Sequence, residues 1–179
     1  MANFNDFLKI LHNVEGGYQE LENDSGNYNS LGQLVGTNWG ISAKTYERWI
    51  KRPPSKTDMM NMPKSVAVEI YKQWYWNVMK GSSFSNQSIA NIIIDHGVNA
   101  GTGTAAMIAQ SVLNDYFGFH LSEDGVIGNQ TLTAVNSVSQ ERLHELYMQA
   151  RIAYYKSLGS SFYRSWMTRL KSFVFKKKA

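Results

Sequence analysis

Cysteine is absent from the 179 residues, which excludes a disulfide framework, a thiol nucleophile and a cysteine-ligated metal site. No apolar run approaches the roughly 20 residues that a membrane span needs, and the densest patch, Ile92, Ile93 and Ile94, is only part of a helix. Stable membrane insertion is therefore not expected. Residues 1–14 lack a basic opening, an extended apolar stretch and a small-residue cleavage site, so no secretory signal peptide is expected either. The chain should be made in the cytoplasm and leave it, if at all, by a separate route. His12, His96, His120 and His144 are scattered with no HExxH spacing, and neither a metal nor another cofactor is expected. Internal repeats, low-complexity tracts and long Pro/Gly/Ser linkers are missing as well.

Acidic residues are missing from one region only. Residues 1–150 carry 10 Lys and Arg against 14 Asp and Glu, whereas residues 151–179 carry 8 basic residues and no acid. There Arg164, Arg169, Lys171, Lys176, Lys177 and Lys178 interleave with Phe162, Tyr163, Trp166, Phe173 and Phe175. A solvated helix face with a frayed end is the favoured reading, ahead of attraction to an anionic surface. No nucleic-acid-binding motif accompanies the charges, so nucleic acid is not an expected partner. With 43% hydrophobic residues, five Trp, ten Tyr and eight Phe, the chain has ample material for a packed core.

Helical periodicity dominates. Phe4, Phe7, Leu8, Leu11 and Val14 follow the i, i+3, i+4, i+7 template, with Asn5 or Asp6 as cap and Gly16-Gly17 as stop. Residues 18–41 lose the periodicity and fill with Asn, Asp, Ser and Gly, so turns are expected there, with at most a small hairpin near Leu34-Val35 and Trp39-Ile41. Helices are expected again over 43–51, from Pro63 through 80 with Val66, Ile70, Tyr71, Trp74 and Val78 inward, over 85–99, 102–117, from 131, over 140–158, and over 161–175.

Glu15 stands where an apolar helical stripe ends and two glycines begin. A helix C-terminus disfavours negative charge, which biases a carboxyl toward the protonated form that a general acid needs. A surface glutamate before an ordinary glycine cap is the plainer alternative. Downstream, the loop holds Glu20, Glu22 and Asp24, polar Tyr18, Asn27, Asn29, Gln33, Thr37 and Asn38, and aromatic Tyr28 and Trp39, a set that suits hydrogen bonding and stacking against sugars. Those Asn, Asp and Gly residues also serve as turn formers. Asp95, inside a very apolar helix, needs a partner or a cleft, and a structural partner is favoured over catalysis. His96 beside it either lines a groove or packs.

The runs EGGY at 15–18, NDSGNYNS at 23–30 and VGTNWGIS at 35–42 resemble glycoside hydrolase family 108, N-acetylmuramidases found among phage endolysins and bacterial secretion-activator proteins. IIIDHGVNAG at 92–101 and DGVIGNQTL at 124–132, with Ala109-Gln110 between them, resemble the peptidoglycan domain that accompanies that family. The resemblance implies a mainly α, lysozyme-like fold: a helical N-terminal lobe with an irregular loop (1–84) packed on a C-terminal helical lobe (85–179). It implies an enzyme that cleaves peptidoglycan glycan strands between N-acetylmuramic acid and N-acetylglucosamine; a monomer, acting after holin-dependent or other release, is expected. Glu15 matches the family's catalytic glutamate, and Asp24 is the expected second carboxylate, ahead of Glu20 and Glu22. Thr37, Gly40 and Ile41 match the family pattern, while Leu34-Val35-Gly36 stands where a Gly-Gly pair is usual. The expected substrate contacts are Tyr18, Thr37, Asn38, Trp39, Asp95 and His96. Lytic transglycosylation and noncatalytic wall binding are the alternatives. For DGVIG itself, the residue-level expectation is an Asp-Gly turn, Val126 and Ile127 in the core, and Asn129 capping the next helix.

Overall fold

The computed structural model describes the backbone of residues 1–14, 17–159 and 163–177, and the side chains of these residues other than 12–14. Glu15 lies outside the described residues. The fold is mainly helical, as expected, with nine α-helices and no strand among the described residues; three isolated β-bridges stand in for the anticipated hairpin. The chain divides into two compact units, Leu11–Tyr71 and a second made of Met1–Ile10 with Lys72–Ala179.

Helix α1 (Phe4–Val14) is opened by Asn3, not by Asn5 or Asp6: the Asn3 carboxamide oxygen accepts the Asn5 N–H at 2.8 Å. An asparagine one residue ahead of the helix fits the cap because its oxygen reaches a backbone donor that the first turn leaves unpaired. Within Leu11–Tyr71, α2 (Ala43–Ile50) starts at Ser42, whose hydroxyl accepts from Thr45 N–H, and ends at Lys51 in the left-handed region. α3 (Lys56–Met60) has a complete capping box between Ser55 and Asp58, and α4 (Lys64–Ile70) follows Pro63. The Ser-x-x-Asp signature marks α3 in the sequence although hydrophobic periodicity over five residues cannot.

Beyond α4 the helix widens into a π-turn, Tyr71–Trp76, in which Asn77 N–H reaches back five residues to Lys72 O at 2.9 Å. This corrects the expectation of one regular helix through 80. Wider winding moves the apolar face: Tyr71 and Trp76, five apart, are buried along with Met79, while Trp74 is half-buried and Val78 is 55% exposed. Trp76 receives Phe4 and Phe7 at ring distances of 5.7 and 5.6 Å, and its indole N–H donates to Ser82 Oγ.

The remaining helices are α5 (Gln87–Ala100), α6 (Thr102–Phe117), α7 (Asn129–Ser137), α8 (Gln140–Ser157) and α9 (Tyr163–Leu170). α5 is central, packed on α6 and α8, and every residue from 88 to 97 is buried. Full burial of Ile89, Ile92, Ile93 and Ile94 contributes about 1.5–3 kcal/mol each. α9 is shorter than the expected 161–175. After Leu170 the chain leaves the helix and runs back along α5 and α8: Phe173 is buried, Lys176 N–H donates to Ser88 Oγ at 2.9 Å, and Lys177 pairs with Glu141 at 3.4 Å. The basic stretch is thus docked through residue 177, and Lys178 and Ala179 lie outside the described residues.

Candidate functional site

In Leu11–Tyr71 the loop of residues 17–41 is held by backbone pairing and by anchors to the helices that follow it. Gln19 and Thr37 exchange both backbone hydrogen bonds, at 3.0 and 2.8 Å, and Asn27 O accepts from Val35 and Gly36. Gly36 has φ +85, and a Cβ there would lie 2.6 Å from the Tyr18 ring, so only glycine lets that ring close over the loop. Half-buried Tyr18 donates its O–H to Glu20 Oε2 at 2.7 Å and approaches Val35 O at 3.1 Å. Burial, reinforced by the hydrogen bond and charge of Glu20, pushes its phenol up to about 12. The Lys56 ammonium, 2.6 Å from Glu20, and the Tyr18 hydroxyl hold the Glu20 carboxyl below its usual range.

Asp24 caps the 3-10 turn Ser25–Asn27, its Oδ1 accepting Gly26 N–H at 2.8 Å; Oδ2 has no protein partner among the described residues. Thr37 and Asn38 are buried rather than displayed. Asn38 Nδ2 donates to Met59 O and Met60 O, tying the loop to α3, and its buried Oδ1 is unpartnered. Trp39 stays half-exposed with φ +51; its indole N–H donates to Met62 O, its carbonyl accepts from Tyr71 O–H, and Lys64 Nζ sits 5.5 Å from its ring centre. The same loop encloses an open recess of about 680 Å³ lined by Glu22, Asn23, Ser25, Tyr28, Asn29, Ser30, Gly32 and Lys44. Lys44 carried no signal in the sequence, because a lysine on an amphipathic helix reads as solvated surface.

Asp95 and His96 belong to the other unit, where both are fully buried. Asp95 accepts from Arg151 Nη2 at 2.6 Å and from Arg169 Nη2 at 2.6 Å, linking α5, α8 and α9. Burial alone would raise its carboxyl, but the two guanidinium groups overcome that and hold it below the usual range. His96 Nδ1 lies 2.8 Å from Tyr147 Oη, and Tyr147 O–H donates to Ala105 O at 3.1 Å. A carbonyl only accepts, so the pair is satisfied when Nδ1 carries the proton, which leaves buried Nε2 as an unpartnered acceptor. Burial, then the Arg151 charge, lowers the His96 pKa to about 3 against a partial offset from Asp95. The apolar helix that made these two residues conspicuous packs them inward, where Asp95 has the partners its charge requires.

In the same unit, the 124–131 segment departs from its expected packing. Ile127 is buried, but Val126 is 58% exposed, and Asn129 is the first residue of α7 with its oxygen accepting from Lys80 Nζ at 2.7 Å. Gln110, fully buried on α6, organises the turn: Nε2 lies within hydrogen-bond distance of Asp124 Oδ1, Val126 O and Thr131 Oγ1, and Oε1 accepts Gly125 N–H. Gly125 has φ +76 and presses on Gly103, where a Cβ would come within 3.1 Å of the backbone. The first turn of α6 at Gly103 and the DG turn thus fit one another. Among the described residues, no group of His, Asp and Glu is placed to hold a metal ion.

Residues 8–101 match the family described as Glycosyl hydrolase 108, and residues 104–171 match one described as Predicted Peptidoglycan domain. The chain belongs to glycosyl hydrolase family 108 and is a glycoside hydrolase, with peptidoglycan as its substrate class. No curated protein matches it in sequence. Among solved structures it is similar to Brucella abortus SagA, with a TM-score of 0.80 and 29% identity over 94% of this chain and 89% of that one.

Proposed function

We propose that the protein is an N-acetylmuramidase that cuts the glycan strand between N-acetylmuramic acid and N-acetylglucosamine, with Glu15 as the general acid. The observation that carries this reading is the position of Glu15 in the chain. It follows Val14, the last residue of α1, falls within the stretch matched by the hydrolase family, and leads into the carboxylate-bearing loop. Glu15 donates its proton to the glycosidic oxygen as the C1–O bond breaks and positive charge develops at the sugar carbon. Water adds at C1, yielding a reducing N-acetylmuramic acid end. Asp24, whose Oδ2 is uncommitted, orients that water, whereas Glu20 is engaged by Lys56 and Tyr18. Tyr18 and Trp39 supply the sugar contacts, and buried Thr37 and Asn38 fix the loop on which they stand. In this reading residues 1–84 carry the chemistry and residues 85–179 serve wall recognition.

Glu15→Gln keeps the size of the side chain but cannot deliver a proton. The variant is expected to fold and to bind walls while losing about 100-fold or more of its cleavage rate. Thermal unfolding, wall pull-down and reducing-end release on one preparation check this, and near-normal release by folded protein refutes the assignment. Mass spectrometry of the muropeptides separates hydrolysis, which leaves a reducing end, from transglycosylation, which leaves a 1,6-anhydro end.

A further inference from the structure

The 124–131 segment encloses a second recess, of about 340 Å³, within the unit of Met1–Ile10 and Lys72–Ala179. Its charged and amide walls are Lys80, Gln110, Asp124, Asn129 and Gln130, and its aliphatic members are Leu121 and Val126. Three observations single it out. Val126 stands 58% exposed at the recess although its neighbour Ile127 is buried. Asp124 spends only Oδ1 on the protein, accepting from Gln110 and from Val126 N–H, and leaves Oδ2 without a partner among the described residues. Lys80 adopts the left-handed conformation, φ +53, uncommon for a lysine, and uses one ammonium proton on Asn129, so two remain.

The lining also selects the kind of ligand. A sugar ring is normally met by an aromatic face, and no aromatic side chain among the described residues lines this recess. One carboxylate, one ammonium, side-chain amides and two aliphatic groups instead match a short peptide with both a free amine and a free carboxylate. We propose that this recess binds the peptide stem of peptidoglycan, Asp124 Oδ2 receiving the stem's ammonium, Lys80 Nζ its carboxylate, and Leu121 and Val126 its side-chain methyl groups. The inference rests on peptidoglycan being the substrate, and it assigns to the recess a role separate from glycan cleavage.

The test is an amide NMR titration of the full chain with the synthetic tetrapeptide N-acetyl-L-Ala–γ-D-Glu–L-Lys–D-Ala, whose blocked N-terminus leaves the lysine side chain as its one ammonium, and in parallel with the trimer of N-acetylglucosamine. The peptide should shift the amides of Gly125, Val126 and Gln130, and the trimer should not. Asp124→Asn retains an acceptor for Gln110 and Val126 N–H, so the turn survives, yet it should weaken peptide binding about tenfold through loss of a charge-assisted hydrogen bond. Lys80→Gln should weaken it similarly. Absence of peptide-induced shifts, shifts of these amides by the trimer alone, or unchanged affinity in both variants would overturn the proposal. The peptide has no glycosidic bond, so the titration reads the recess whatever the Glu15→Gln variant does to cleavage, and either reading can fail alone.

Discussion

Asp95 is one fully buried carboxylate shared by two arginines, Arg151 buried with it and Arg169 12% exposed. Removing one member of such a group leaves buried charge uncompensated, so Asp95→Asn should cost about 3–5 kcal/mol, measured by urea denaturation at neutral pH. Two pH windows follow. His96 has its folded pKa depressed from 6.5 to about 3, so the unfolded chain binds the proton first and stability falls as pH drops through that interval. Asp95 is also depressed, from 3.8, so its contribution is present above 3.8 and is lost as pH falls through the lower folded value. His96→Phe should therefore flatten the dependence of the urea midpoint on pH between 6 and 4, removing up to about 1.4 kcal/mol per pH unit, while Asp95→Asn should act below that range. An unchanged slope in His96→Phe would show that the ring is not held neutral. The partners of Asp95 could not be read from the sequence, because Arg151 and Arg169 lie 56 and 74 residues away; only the need for a partner could.

At the scale of elements, the DG turn depends on glycine twice, for its positive φ and for its approach to Gly103. Gly125→Ala should destabilise the fold by about 1–3 kcal/mol and broaden the amide signals of the 124–131 segment. Wild-type stability in that variant would mean that the turn yields easily. α6 and α8 were legible almost to the residue, since 16 and 18 residues of regular winding give periodicity room to declare itself. The wide turn at Tyr71–Trp76 was not, because one added residue leaves every side chain plausible on a regular helix and merely rotates which ones are buried. Val126 misled for a related reason: an apolar pair after a turn reads as core, and nothing in the pair itself says that only Ile127 goes inside. In the 17–41 loop, the residue types were legible, but which of them scaffold and which remain exposed depends on α3, whose carbonyls claim Asn38.

At the scale of the whole molecule, the basic C-terminal stretch has less free charge than its composition suggests, since Arg151 and Arg169 are committed to Asp95 and Lys177 faces Glu141. Of the others, Arg164, Lys171 and Lys176 lie exposed in α9 and the segment after it. Replacing these three by Gln should weaken association with anionic walls at low ionic strength and make no difference near 1 M salt, where screening acts within about 3 Å. A defect that persists at high salt would point to direct contacts in place of attraction at a distance. The wide turn after Ile70 bears on how such a chain can change length over its history. Insertion of one residue into a regular helix ordinarily rotates everything beyond it, whereas a π-turn takes up the extra residue locally and leaves both flanks in place. A related chain with one residue fewer between Ile70 and Met79 can therefore keep the same two ends as an ordinary helix, and an alignment that forbids a gap there would set the wrong residue opposite Trp76.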